Sequence, residues 1–444
     1  MTDLVVIGAG ASGLSIAREA VRRRRSVVVV ERDDAVGGLA RSLDVGGFRL
    51  DHVAHRWVPR TSFVQDVLRE TLGDDLQRRV RTHVIQLDGR YFRHPFSLTE
   101  FIATHGPRRR WSIAGDVLAH RALRRFRGSP VTFADYVHSN FGSAAYRLYF
   151  GPHYEKTTGI RPDRLLASYA ERFVGSDSRD VMRAALGRAT APAPERAFLY
   201  PRLGSGQVWE RMADFVREGG GQLLPETTAC EVERRPGGCA VRAIDGEGRH
   251  LELRAGAVVS TIPLPDLVSM VRPAAPEALA AAGTSLRRLS LVCVYVLARR
   301  ARVLPHDAIY YPDPGVDFYI LEDFSYLSPD VSPPGCTAVC AAMVDWDRRY
   351  WNRSDEDLVA TVRAQMANAG HAISDGELAG THVARVADAR PDPSTTGRDT
   401  VAALLDFTNR DGLVSVGRQG TLTPLMTMDA AVELGPRTLD ALRL

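Results

Sequence analysis

The sequence predicts an α/β fold, in which a Rossmann-like domain with a parallel sheet is interleaved with a second, α+β domain. Three observations carry this. The N-terminal stretch "DLVVIGAGASGLSIAREAVRR" runs from a strand pattern through Gly8, Gly10 and Gly13 into an Ala-rich amphipathic helix pattern, and "SVVVVE" follows as the second strand of a βαβ unit. The stretch "ETTACEVERRPGGCAVRAIDGEGRHLELRAGAVVSTIP" reads as three strands divided by Pro/Gly-rich turns, the last returning to the first sheet. At 444 residues the chain exceeds one ordinary core, so two closely joined domains are expected.

Composition narrows the class. Hydrophobic residues make up 45% and charged residues 25%, as in a globular protein. Lys+Arg number 57 against 53 Asp+Glu, a net +4 that is too mild to point to nucleic acid. Arginine supplies nearly all of the positive charge, and Lys156 is the only lysine. Five scattered cysteines, without a CxxC pair, predict reduced thiols in a cytoplasmic protein, with neither a disulfide scaffold nor a metal site. Cys336 and Cys340 read as small apolar residues on one face of a buried strand. The N-terminal apolar run lacks a basic region and is broken by glycines, unlike a secretory leader. The best internal apolar run, "LSLVCVYVLA", is too short to span a bilayer and reads as a strand. The expected partner is a small-molecule substrate, with no nucleic acid and no integral membrane segment; the pattern specifies no oligomeric state.

The glycine spacing suits a dinucleotide. Gly8 allows the tight turn, Gly10 lets backbone approach a pyrophosphate, and Gly13 lets the helix pack on the strand. Ala11 and Ser12 open the helix, whose N-terminus faces the phosphate charge. Glu31 ends the second strand where a ribose-binding acid belongs. The continuation "ERDDAVGGLARS" adds Arg32, the pair Gly37 and Gly38, then Leu39, Ala40 and Arg41. This extension resembles the FAD-binding signature of the amine oxidase and protoporphyrinogen oxidase-like flavoproteins. The resemblance implies that the glycine pair passes close to FAD and that the arginine neutralises its pyrophosphate. No second GxGxxG is followed by a strand and an acid, so no separate nicotinamide domain is expected.

The resemblance extends from residue 4 to about residue 435 through "GFRLDHVAHRWVPR", "VTFADYVHSNFGSAAYRLYFGPHYEKTTGI", "FLYPRLGSGQVWERMADFVREGGGQLL" and "GLVSVGRQG". It is nearest the bacterial UDP-galactopyranose mutase-like flavoproteins. It implies a discontinuous FAD-binding domain over 1–47, 201–263 and 401–444. The substrate-binding domain would take 48–200 and 264–400, with a helical part at about 100–190. It also implies that backbone around Val232 faces the adenine side. Gly417, Arg418 and Met428 would meet the cofactor where "MTMDAAVELG" begins a helix aimed at the flavin ring.

His55, Arg56 and Tyr200 are the catalytic candidates. His55 could exchange protons near neutral pH or bond a backbone carbonyl. Arg56 could hold an anionic substrate group, as could Arg202. Tyr200 reads as a cavity residue or a core tyrosine. Lys156 is expected to pair with Glu155 or another carboxylate. The basic amphipathic segment Gly106–Gly128, with Trp111, Ile113, Val117, Leu118, Leu123 and Phe126 as apolar partners, could lie on an anionic membrane or guide an anionic substrate. The reading adopted is a solvated helix packed on its own domain. Mutase-like relatives carry an aromatic, Asn-rich run after the GR-x-G turn and tyrosines before it. Here the first is Thr421-Leu422-Thr423-Pro424-Leu425, and "ADARPDPSTTGRD" holds no tyrosine. The expected function is therefore FAD-dependent removal of hydride from a C–N or C–C bond of a small, biosynthetic-type molecule. A redox-neutral sugar-nucleotide mutase using reduced FAD is the alternative.

Overall fold

The structure, a computed structural model, describes residues 1–127, 129–170, 178–187, 197–392, 394, 397–424 and 426–444. The first strand (β1, Thr2–Ile7), helix (α1, Ala11–Arg22) and second strand (β2, Val27–Val30) form the expected βαβ unit. β1 and β2 run parallel, with Leu4 opposite Val27 and Ile7 opposite Val30. Leu4–Ile7 and Val27–Val30 are buried without alternation, because this sheet is covered on both faces. Gly8 turns with φ at 101°. A Cβ at Gly13 would run into the Gly8 carbonyl oxygen, so α1 lies on the turn only because that position has no side chain.

Strand His250–Ser260 explains how distant segments share this sheet. Its first half pairs antiparallel with Gly238–Ile244, and its second half runs parallel to β1, with Val258 opposite Val5. Leu413–Ser415 pairs parallel with its end, and Gln222–Leu224 extends the sheet beyond β2. Thr228–Arg235 and Val271–Arg272 complete eight strands. Helices Gly206–Glu218 and Met428–Leu442 pack against α1.

A second sheet has seven strands in the order Leu378–Pro391, Arg288–Ala298, Thr337–Asp345, Ile320–Asp323, Ala308–Tyr310, Val84–Leu87 and Arg90–Arg93. "LSLVCVYVLA" lies within Arg288–Ala298. Its alternate side chains feed two cores: Leu291, Cys293 and Tyr295 face one side, Val292, Val294 and Val296 the other. Cys340 is buried in the first of these cores and Cys336 packs beside it; all five cysteines are free. Among the described residues no group could hold a metal ion.

A helical layer with its own core covers one side of this sheet, and Tyr310 packs against both. Helix Pro107–Arg127 belongs to that layer. It buries Ile113 and Val117, as a helix packed on its own domain should, but leaves Trp111 and Leu123 exposed; the side chain of Phe126 lies outside the described residues. Among the described residues no helix is long and apolar enough to cross a membrane.

Candidate active site

A cleft of about 470 Å³ runs along the carboxyl ends of β1 and β2. Its near end is Glu31, whose carboxylate accepts from the Ala9 N–H at 2.6 Å and the Asp33 N–H at 2.9 Å, so the acid is fixed at the glycine turn. Gly8, Gly10, Ala11 and Ser12 form one wall at the N-terminus of α1. The loop of Arg32, Gly37, Gly38, Leu39, Ala40 and Arg41 forms the other, held down by the Gly37 N–H donating to the Ala9 carbonyl at 2.8 Å. At the far end stand His52, His55, Arg418, Met426, Thr427 and Met428, the last opening helix Met428–Leu442. Gly417 shapes this end from behind, since a Cβ there would come within 2.8 Å of the Ser12 hydroxyl. Gly13 likewise lies under the wall.

Two helix N-termini therefore face one elongated cleft, which suits a ligand with a central anion and a ring that gains negative charge. Two buried atoms, Nδ1 of His52 and Nδ1 of His55, have no hydrogen-bond partner among the described residues. Burial pushes the His52 imidazole down to about 4, and nearby Arg41 adds to the effect. Burial also pushes His55 down to about 4, partly offset by Asp51 and reinforced by Arg418. Both rings are neutral at pH 7 and offer unpaired atoms to a bound group. The carboxylate for ribose, the phosphate-facing helix turn, Arg41 and these orphaned nitrogens fit FAD.

Several sequence-chosen residues lie elsewhere. Arg56 does not reach the cleft. Its guanidinium, 5% exposed, lies 2.6 Å from Glu322 and 3.3 Å from Asp307. His83 Nε2 is 3.0 Å from the same Asp307. A substrate anion would have to displace two buried carboxylates, so Arg56 is a structural cation. Tyr200 is fully buried and donates to Asp51 at 2.6 Å; the same carboxylate accepts from the hydroxyls of Ser42 and Ser205, each at 2.6 Å. It is a core tyrosine that anchors the Gly204–Gly206 turn. Arg202 is bound to Asp75 at 2.6 Å. Val232 sits inside the sheet, paired with Val241 on one side and Val271 on the other, and does not line the cleft. The backbone beside Glu31 is instead Glu226–Thr227, whose N–H groups donate to the carbonyls of Asp33 and Glu31. Among the described residues Lys156 pairs with no carboxylate: its ammonium donates to the carbonyls of Tyr311 and Asp313 at 2.8 and 2.9 Å, strapping helix Gly151–Thr158 to that turn.

The cleft also recruits residues that sequence reasoning passed over. His52 lies inside the quoted "GFRLDHVAHRWVPR" run, and Thr261, Ile262 and Pro263 end the returning strand, so both had a local signal. Gln419 and Asp388 likewise lie inside the quoted "GLVSVGRQG" and "ADARPDPSTTGRD"; Arg385 had no such signal, and the register of Leu378–Pro391 brings it in with Asp388. Near them Arg390 donates to the Tyr319 hydroxyl at 3.1 Å, and Arg418 donates to the Met426 carbonyl. Among the described residues no carboxylate pairs with either arginine. Of the altered C-terminal run, Leu422 packs against the cluster of Leu264, Val268 and Leu404, while Leu425, like Pro393, Thr395 and Thr396 before it, lies outside the described residues.

A dinucleotide cleft shared between a βαβ unit and the N-terminus of a C-terminal helix defines a flavoprotein of the Rossmann class. The sequence pattern described as flavin containing amine oxidoreductase matches residues 11–384. The chain belongs to that family: it is an FAD-dependent oxidoreductase. Among solved structures, a reduced UDP-galactopyranose mutase aligns over 100% of this chain and 94% of its own, at a TM-score of 0.87 and 17% identity. A fatty acid isomerase from P. acnes covers 99% of this chain and 98% of its own, at 0.65 and 14%. An engineered putrescine oxidase covers 100% and 98%, at 0.61 and 15%. These likenesses establish the fold. A phytoene dehydrogenase from Streptomyces griseus is 50% identical over 48 residues, which is 11% of this chain and 10% of that protein.

Proposed function

We propose that this protein oxidises a C–N or C–C single bond of a small molecule to the double bond, hydride leaving the C–H carbon for the flavin and a proton leaving the neighbouring atom for solvent. The observation that carries this is the commitment of Arg56 and Arg202 to carboxylates. A nucleotide diphosphate needs at least two cations, and the two arginines offered for it are occupied. The cleft-facing part of the C-terminal turn is Met426–Met428, a largely apolar stretch. FAD bound in the cleft supplies the two-electron acceptor. The protein contributes a narrow cleft and the dipole of helix Met428–Leu442. His55 adds a neutral imidazole that can orient a substrate polar atom without competing for its proton.

The redox-neutral reading has one observation in its favour. Arg390 and Arg418 are cations near the far end of the cleft with no carboxylate partner among the described residues, and Tyr319 lies against Arg390. Anaerobic titration of the flavin-loaded enzyme separates the two. Bleaching of the flavin band by an amine or a prenylated or polyketide-like molecule, reversed by air, is the expected result. A spectral shift with a nucleotide sugar, without bleaching and with turnover only after dithionite, overturns it in favour of the mutase. Under that second outcome Arg390→Gln should abolish the shift.

A further inference from the structure

Helix Pro107–Arg127 has two apolar faces. The inner one, Ile113, Ala114 and Val117, is buried against its neighbours. The outer one is Trp111, Gly115, Ala119, Ala122 and Leu123, spaced i, i+4, i+8, i+11 and i+12, which is one continuous stripe on a helix. All five are exposed, Trp111 by 49% and Leu123 by 45%. Helix Ser178–Ala185 lies beside it, and a Cβ at Gly187 would run into the Arg110 guanidinium. That neighbour contributes Met182, 36% exposed, and just past its end Leu186, 51% exposed. Ten large hydrophobic side chains are exposed among the described residues; Trp111, Leu123, Val131, Met182 and Leu186 all come from this one layer.

The charge is as uneven as the hydrophobicity. The helix carries seven arginines against one acid, Asp116, a formal +6. The whole chain carries +4, so the remainder is net −2. A solvated helix has no use for an outward tryptophan and leucine stripe. A second copy of the chain would bring two +6 helices face to face. An anionic bilayer meets both features: the exposed Arg108 and Arg109 beside Trp111 reach the headgroups, and the stripe, with its tryptophan, sits at the headgroup–acyl boundary.

We propose that the outer face of Pro107–Arg127 docks the protein onto an anionic lipid surface. The test is co-sedimentation of the flavin-loaded full chain with vesicles of phosphatidylcholine alone or with about a third phosphatidylglycerol. Binding should be at least about tenfold stronger on the anionic vesicles and should fall steeply with salt. The double substitution Trp111→Glu/Leu123→Glu should abolish it while leaving the flavin spectrum and melting temperature unchanged, since both side chains are exposed. The Trp111 emission, read as the difference between the native chain and Trp111→Phe, should move to shorter wavelength on anionic vesicles only. Three results would each overturn the proposal: no vesicle binding, binding that survives the double substitution, or a concentration-dependent dimer that this substitution dissolves.

Discussion

Replacing Arg56 with methionine separates a structural cation from a substrate ligand. The guanidinium sits between Glu322 and Asp307, each at most 1% exposed. With His83 neutral, because burial holds it down to about 3, the native cluster is net −1. Without Arg56 it is net −2 in the core. Breaking a buried pair by removing one partner costs about 3–5 kcal/mol. The penalty depends on pH. Burial already holds the Glu322 carboxyl above its ordinary value, and Arg56 draws it back. In the variant the folded-state pKa rises further above the unfolded one, so the folded protein binds the extra proton between the two values, and stability falls as pH rises through that window. The deficit should be smallest at the acid end of that window and full at its alkaline end. Thermal unfolding followed by circular dichroism and by flavin release, across that range, reads it. Arg56→Met/Glu322→Gln should recover part of the loss. A variant of native stability whose KM rises instead would refute this reasoning and return Arg56 to the substrate.

Three further outcomes follow from the same geometry. Gly13→Ala should yield protein without bound flavin, checked by loss of the flavin band from the absorbance spectrum, because its Cβ collides with the Gly8 carbonyl. Tyr200→Phe should lower stability by about 1.5–3 kcal/mol, the worth of a hydrogen bond to a charged group, with kcat unchanged; native stability with a fall in kcat would place the ring at the substrate. As the only lysine, Lys156 can be labelled biosynthetically with ¹³C-lysine and titrated by NMR. Burial pushes its ammonium down to about 7, so its titration should fall well below the ordinary 10.5, and between those values stability should rise with pH because the unfolded chain binds the extra proton. A midpoint near the ordinary value would show the strap to be open.

The βαβ unit was legible because it is local. Strand, three glycines, helix and acid lie within Thr2–Glu31, and every constraint acts between residues close in sequence. The strand pattern of Arg288–Ala298 and the helix at Met428 were readable for the same reason. The FAD assignment followed from Gly37–Arg41, a loop fixed by backbone contact with the first turn. Partners were not legible. Arg56 stands beside His55 in sequence, yet one meets carboxylates more than 250 residues away while the other faces the cleft. Tyr200 found Asp51, and Lys156 found two carbonyls rather than a carboxylate. In each case the side chain type announced a need, a counter-charge or an acceptor, and only the packing of distant strands decided what met it. Helix Pro107–Arg127 shows the same division: its sequence set both the charge and the apolar periodicity, but the tertiary structure chose which apolar face to bury and left the other, with Trp111 and Leu123, turned to the outside.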